Sequence, residues 1–321
     1  MRVTRGAVWA VLVWAVFSAG CVPEPEPPLR IGTNIWPGYE PLYLARDLAY
    51  FDATPVRLVE YLSATEVSRS FRNGAIDAAA LTLDEVLVLV QYGVAAQVVL
   101  VTDTSDGADA LMARPELKEL KDIKDRRVAV ESGALGAYVL ARALQFAGLK
   151  PSDISIVSVP SSEHEQAYRE RRVEAVVTME PIGTRLLALG AQSLFDSSQI
   201  PGEVVDVLVV RQEYLDKHPG QVRHLLMNWF SSLRYMKQHP DDSHRRMAKR
   251  LAVSPAEVSV MFKGLHIPEL EENRRLLGGS PPDLLAPTQK LMETMLEQNL
   301  LSKAVALPPL FTTRYLPDSP L

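Results

Sequence analysis

Arg30-Ile31-Gly32-Thr33 returns as Arg127-Val128-Ala129-Val130, 97 positions later. Each alone is a short apolar segment opened by an arginine. Together they start two stretches that keep the same landmarks in the same order, the sign of a repeated unit. Leu44-Ala45-Arg46 matches Leu140-Ala141-Arg142 at an offset of 96. Glu66 matches Glu163, Phe71-Arg72 matches Tyr168-Arg169, and Ile76-Asp77-Ala78 matches Val173-Glu174-Ala175, each at 97. Each copy reads strand, loop, helix, strand, helix, strand. The first predicts strands over 29–33, 56–61 and 75–81, with helices over 40–48 and 65–73. The second predicts strands over 127–130, 154–159 and 173–177, with helices over 136–147 and 162–171. Thr65 and Ser162 are the expected N-caps, since a hydroxyl accepts from orphan amides of a first turn. Alternating strands and helices predict an α/β fold with two open, mostly parallel sheets covered on both faces.

Working outward, Gln97–Asp103 (QVVLVTD) and Val204–Arg211 (VVDVLVVR) are β-rich runs outside the copies. They are the expected crossings between two lobes, and Ala108–Ala113 follows the first. Helical signals dominate from Gln212 onward. Lobe one is then expected to hold residues 30–105 with 206–321, and lobe two residues 106–205. A chain of 321 residues with 47% apolar and 23% charged residues supports two such cores. The net charge of −5 argues against a nucleic-acid partner held by bulk charge. A single cysteine and six scattered histidines exclude an intrachain disulfide and give no metal-ligand spacing.

The N-terminus reads as an address. Arg2 and Arg5 precede the apolar run Ala7–Phe17, followed by Ser18-Ala19-Gly20-Cys21. That run would rise only about 16 Å as a helix, about half a bilayer core, so a cleaved secretory signal over 1–20 is expected. Cys21 stands where a lipoprotein signal peptide is cut, in a motif similar to a bacterial lipobox with Ser18 in place of the usual leucine. Lipidation of Cys21 would anchor the protein by acyl burial at about 0.8 kcal/mol per CH₂. Val22–Pro28 (VPEPEPP) reads as part of an extended tether over 21–29.

Four stretches carry a family resemblance. They are Trp36–Ala45 (WPGYEPLYLA), Phe71–Ala80 (FRNGAIDAAA), Asp106–Ala110 (DGADA) and Glu131–Tyr138 (ESGALGAY). In this order they resemble the periplasmic substrate-binding proteins of nitrate, aliphatic-sulfonate, taurine and thiamine-precursor ABC transporters, over about residues 29–265. The resemblance implies the type II periplasmic-binding-protein fold, with a ligand enclosed between two lobes joined by two hinge strands. It further implies a monomeric, lipid-anchored receptor in the periplasm or at the cell surface that delivers a small organic or oxyanion solute to a permease and its ATPase. The alternative is a binding lipoprotein that reports its ligand to a membrane sensor. Relatives that make the thiamine pyrimidine use a cysteine-rich motif and iron. With no cysteine beyond Cys21, no enzyme activity, cofactor or metal is expected here. At Met179-Glu180-Pro181 this chain departs from the aromatic that many relatives carry.

Ligands of open parallel sheets bind outside the carboxyl ends of strands. Five loops qualify, Asn34–Tyr39, Ser63–Glu66, Thr82–Asp84, Ser132–Tyr138 and Thr178–Pro181, together with the crossing Thr104–Asp109. From them come the candidate ligand residues. Asn34, Trp36, Gly38 and Tyr39 would give a polar contact, a flat wall, a close backbone approach and a hydroxyl-bearing wall. Trp36 packed beneath its own loop is the competing reading. Ser63, Thr65 and Thr82 would supply hydroxyls, with capping as the alternative. Ser132, Gly133 and Gly136 would present amides at a helix start, a ready anion site. Asp84, Asp106 and Glu180 are candidate carboxylates, with Asp103, Asp109 and Glu131 nearby; Asp106 shaping a turn and Glu180 pairing with Arg185 are the structural alternatives. No Lys or Arg lies in these loops. The expected ligand therefore carries an amine, paired with Glu180 or Asp84, unless the Ser132–Gly136 helix start dominates and holds an oxyanion. His164 is expected on an exposed helix face.

Overall fold

The computed structural model describes residues 26–52, 54–133 and 135–318. The signal run, Cys21 and the first part of the proline-rich spacer lie outside the described residues. The spacer's end rests on the protein: Gln221 Nε2 donates to Glu26 Oε2 at 2.6 Å and to the Pro27 carbonyl at 3.2 Å.

The chain begins β1 (Leu29–Thr33), α1 (Glu40–Asp47), β2 (Val56–Glu60), α2 (Ala64–Arg72), β3 (Ala78–Thr82), α3 (Leu83–Gln91) and β4 (Ala96–Ser105). There follow β5 (Asp109–Ala113), β6 (Arg127–Val130), α4 (Leu135–Ala147), β7 (Ser155–Ser158), α5 (His164–Arg169), β8 (Ala175–Met179), α6 (Ile182–Ala188) and β9 (Gln192–Asp196). The chain then returns through β10 (Val205–Arg211) to α7 (Gln212–Lys217), α8 (Pro219–Gln238), α9 (Pro240–Leu251) and α10 (Pro255–Met261). It ends with the short β11 (Leu265–His266), α11 (Leu270–Leu277) and α12 (Leu285–Glu297).

Two sheets result, one in the order β11-β4-β10-β3-β1-β2 and the other β7-β6-β8-β5-β9. The two-lobed α/β architecture follows from the sequence, but the sheets are mixed rather than mostly parallel. In the first, β1 pairs in parallel with β2 and β3, whereas β10 runs antiparallel to both β3 and β4. In the second, β6 is parallel to β7 and β8, and β5 is antiparallel to β8 and β9. The antiparallel members are those added when the chain leaves one lobe and returns.

The repeat has a physical basis. The Arg30 amide and guanidinium both donate to Asp77, and Arg30 also reaches the Gly74 carbonyl. Arg127 does the same with Glu174 and the Arg171 carbonyl. Each clip ties the start of the first strand of a unit to the turn before its third strand, which sets the parallel register.

Local corrections are instructive. Ser63, not Thr65, caps α2, its Oγ accepting from the Glu66 amide at 3.3 Å. In the second copy a single 3-10 turn over Ser161–Glu163 leads into α5, so Ser162 is not the N-cap. Four elements were absent from the sequence reading: α3, α6, β9 and β11. The crossing strands β4 and β10 lie side by side, with Val205 opposite Thr104, and Gly107 makes the turn into β5 at φ 108°. Both connections between the sheets thus leave from one place.

Candidate functional site

The carboxyl ends of β1, β3, β6 and β8 meet the crossing strands around a tight cavity of about 50 Å³. Asn34, Trp36, Tyr39, Thr82 and Glu85 line it from one lobe; Glu131, Gly136, Ser161, His164 and Thr178 line it from the other. Asp109 and Asp206 line it at the crossings.

The loop after β1 is fixed from below. Pro37 opens a 3-10 turn, and a Cβ on Gly38 would overlap the Asp103 carboxylate and come within 2.5 Å of Trp36 Nε1. Glycine is required there because Trp36 Nε1 lies over Asp103, 3.3 and 3.2 Å from its two oxygens. Trp36 is only 2% exposed, so it packs within its loop and also walls the cavity. The Tyr39 hydroxyl donates to Asp206 Oδ1. Behind the loop, Arg250 pairs with Glu40 and Glu60 and donates to the Asn34 carbonyl at 3.3 Å.

α3 starts at the cavity floor. The Thr82 amide donates to Glu85 Oε2 at 3.0 Å, one arm of a capping box. Across the cleft, Glu131 bridges the lobes: Oε1 accepts from the Thr65 amide at 2.9 Å and Oε2 from the Ser161 amide at 3.2 Å. Gly133 packs against the Thr65 side chain, where a Cβ would lie 3.1 Å from Oγ1. His164 is buried, not exposed as expected, and holds Val159 O and Thr178 Oγ1, each at 3.1 Å. Burial lowers its pKa, so the ring is neutral, with Nε2 donating to the carbonyl and Nδ1 accepting from the threonine.

Burial also governs the acids. It raises Asp103 and Asp109 to about 7 and Asp84 to about 6. Glu85 and Asp206 are pushed well above the carboxylate range by burial, reinforced by neighbouring carboxylates. Among the described residues, Glu85 Oε1, Asp109 Oδ2, Asp206 Oδ2 and Thr82 Oγ1 are buried with no hydrogen-bond partner.

The remaining expected ligand residues lie outside this lining. Ser63 caps α2, Thr65 donates its amide to Glu131, and Ser132 and Gly133 form the turn after β6. Asp84 sits in the first turn of α3 and Asp106 in the crossing turn. Glu180 accepts from the Thr184 amide and hydroxyl at 3.0 Å each, while Arg185 turns to Glu165 at 2.8 Å. Sequence reasoning missed Glu85 and Asp206. The signal for Glu85 was the Thr82-x-x-Glu85 spacing ahead of an apolar run; Asp206 is the one acid in the otherwise apolar start of β10.

Two sheets joined at paired crossings, with a walled cavity between them, set the frame for comparison. Residues 22–252 match the NMT1-like family. The chain belongs to that family. The taurine-binding periplasmic protein of Escherichia coli is 22% identical over 211 residues, which span 63% of this chain and 66% of that relative. The fold of the alkanesulfonate-binding protein SsuA from Xanthomonas axonopodis pv. citri, solved with MOPS, superposes with a TM-score of 0.75 at 18% identity. It covers 90% of this chain and 99% of that one. The nitrate-binding protein NrtA from Synechocystis superposes at 0.64 with 14% identity, covering 92% of each chain. These likenesses place the family member in the periplasmic binding-protein fold. Among its described residues no group of three or more His, Cys, Asp or Glu side chains could hold a metal.

Proposed function

We propose that this protein is the solute-binding component of an ABC transport system of the nitrate, sulfonate and taurine type. It captures a small solute between its lobes and hands it to a membrane permease driven by an ATPase. The observation that carries the reading is the cavity itself: it is walled by both sheets and placed beside both crossings, so that rotation about β4 and β10 would open and close it. Family membership and the taurine-binding relative support the same role. The protein acts as a monomer outside the cytoplasmic membrane, held there by lipid on Cys21, with the spacer ending on α8. Lobe one comprises 30–105 and 206–321, and lobe two 106–205.

Native mass spectrometry of protein purified without denaturation tests this. A small solute released in near one-to-one ratio supports the role. Protein that carries none, and whose melting temperature no small solute raises, contradicts it.

A further inference from the structure

Most of the unpartnered polar atoms at this cavity are acid oxygens. Glu85 Oε1, Asp109 Oδ2 and Asp206 Oδ2 are buried without partners, on residues only 3%, 4% and 2% exposed. Burial favours the protonated form of these acids in the empty cavity, and a cation that enters lets them ionise and accept its N–H groups. Among the described residues no lysine or arginine lines the cavity. Two guanidiniums behind the site loops are engaged elsewhere, Arg250 with Glu40 and Glu60, and Arg185 with Glu165.

The anion site offered by the fold is also taken. At the start of α2, the Thr65 amide donates to Glu131 and the Glu66 amide to Ser63. At that helix start the protein's own carboxylate therefore takes an amide that an oxyanion would use, while α4 borders the cavity at Gly136, against the Glu131 backbone.

Building on the receptor role above, we propose that the ligand presents a protonated nitrogen bearing N–H groups, an ammonium or amidinium, to Glu85, Asp109 and Asp206, with Trp36 and Tyr39 as its flat walls. The choice of an N–H cation over a quaternary one follows from the unpartnered oxygens, which a methylated nitrogen would leave unsatisfied. An aromatic wall suits either. A free oxyanion would instead find no lysine or arginine among the described lining residues to balance its charge inside a poorly solvated space.

The test is titration calorimetry and thermal shift on the full mature protein with butylamine, acetamidine, tetramethylammonium, propanesulfonate and nitrate. Butylamine and acetamidine are expected to bind, with the other three at least tenfold weaker. Asp109→Asn and Glu85→Gln are expected to reduce cation binding a hundredfold or more, the usual effect of removing one partner of a buried charge pair. Both variants should fold and melt no lower than the parent at pH 8, since an amide replaces a buried acid; Glu174→Gln, far from the cavity, should bind as the parent does. Tight binding of propanesulfonate or nitrate, unchanged in both variants, overturns the inference and leaves the receptor role standing. Tetramethylammonium binding as tightly as butylamine overturns it too. Failure of all five probes, with no co-purified solute, overturns the inference and the receptor role together.

Discussion

Glu131 accepts on one oxygen from Thr65 across the cleft and on the other from Ser161, and its removal should open the molecule. In Glu131→Ala the Thr65 and Ser161 amides lose their acceptor. Hydrogen bonds to an ionised group contribute roughly 1.5–3 kcal/mol each. The bond to Ser161 lies within one lobe, so its loss appears as lowered stability of that lobe. The bond to Thr65 spans the lobes, so its loss weakens closure by about the same roughly 1.5–3 kcal/mol, or about ten- to 150-fold in the closure constant. Because Glu131 also lines the cavity, affinity alone would confuse closure with ligand contact. Single-molecule energy transfer between one dye on each lobe, in a Cys21→Ser background and without ligand, separates the two. The closed fraction should drop and the exchange between states should remain. An unchanged closed fraction, in a variant whose melting temperature has fallen, would refute the assignment of Glu131 as the latch.

Three further outcomes are expected. Without ligand, stability should decline as pH rises from about 4 to 7, because Asp103 and Asp109 stay protonated in the fold up to about 7 while an unfolded aspartate ionises near 3.9. Asp84, Glu85 and Asp206 act in the same direction, while His164, lowered by burial, opposes them below about 6.5, where the unfolded imidazole charges. Melting at pH 5 and 8 checks this; Asp109 alone contributes on the order of 4 kcal/mol at most, and a flat profile contradicts it. Gly38→Ala should cost about 1–3 kcal/mol by forcing Trp36 and Asp103 apart, read as a lower denaturant midpoint and altered tryptophan fluorescence. Cys21→Ser should abolish incorporation of a palmitate analogue; equal labelling of the variant rules out that anchor.

Much of this architecture was legible because the repeat is built on local chemistry. The Arg30–Asp77 and Arg127–Glu174 clips span the same separation of 47 positions, so they left matching letters at matching offsets. The loops at strand ends were legible for the same reason, and Asn34, Trp36, Tyr39, Thr82 and Gly136 do line the cavity. What stayed hidden depends on the return of the chain. Asp206 reaches the site only because β10 inserts between β3 and β4, a pairing with no local signature. The antiparallel strands follow from the same event. Glu85 was overlooked because the loop expected after β3 stopped at Asp84, whereas α3 starts at Leu83 directly after β3 and carries Glu85 in its first turn. His164 carries no periodic cue that separates a buried ring from an exposed one; its Val159 and Thr178 partners decide it.

The central claim is that the two lobes close around a solute at their shared hinge. Small-angle scattering of the mature protein, before and after saturation with the solute that co-purifies with it, tests this most directly. The account predicts a smaller radius of gyration on binding, with the larger value restored in Asp109→Asn at the same solute concentration. Superimposable curves at saturation, with binding confirmed by calorimetry on the same sample, would contradict it.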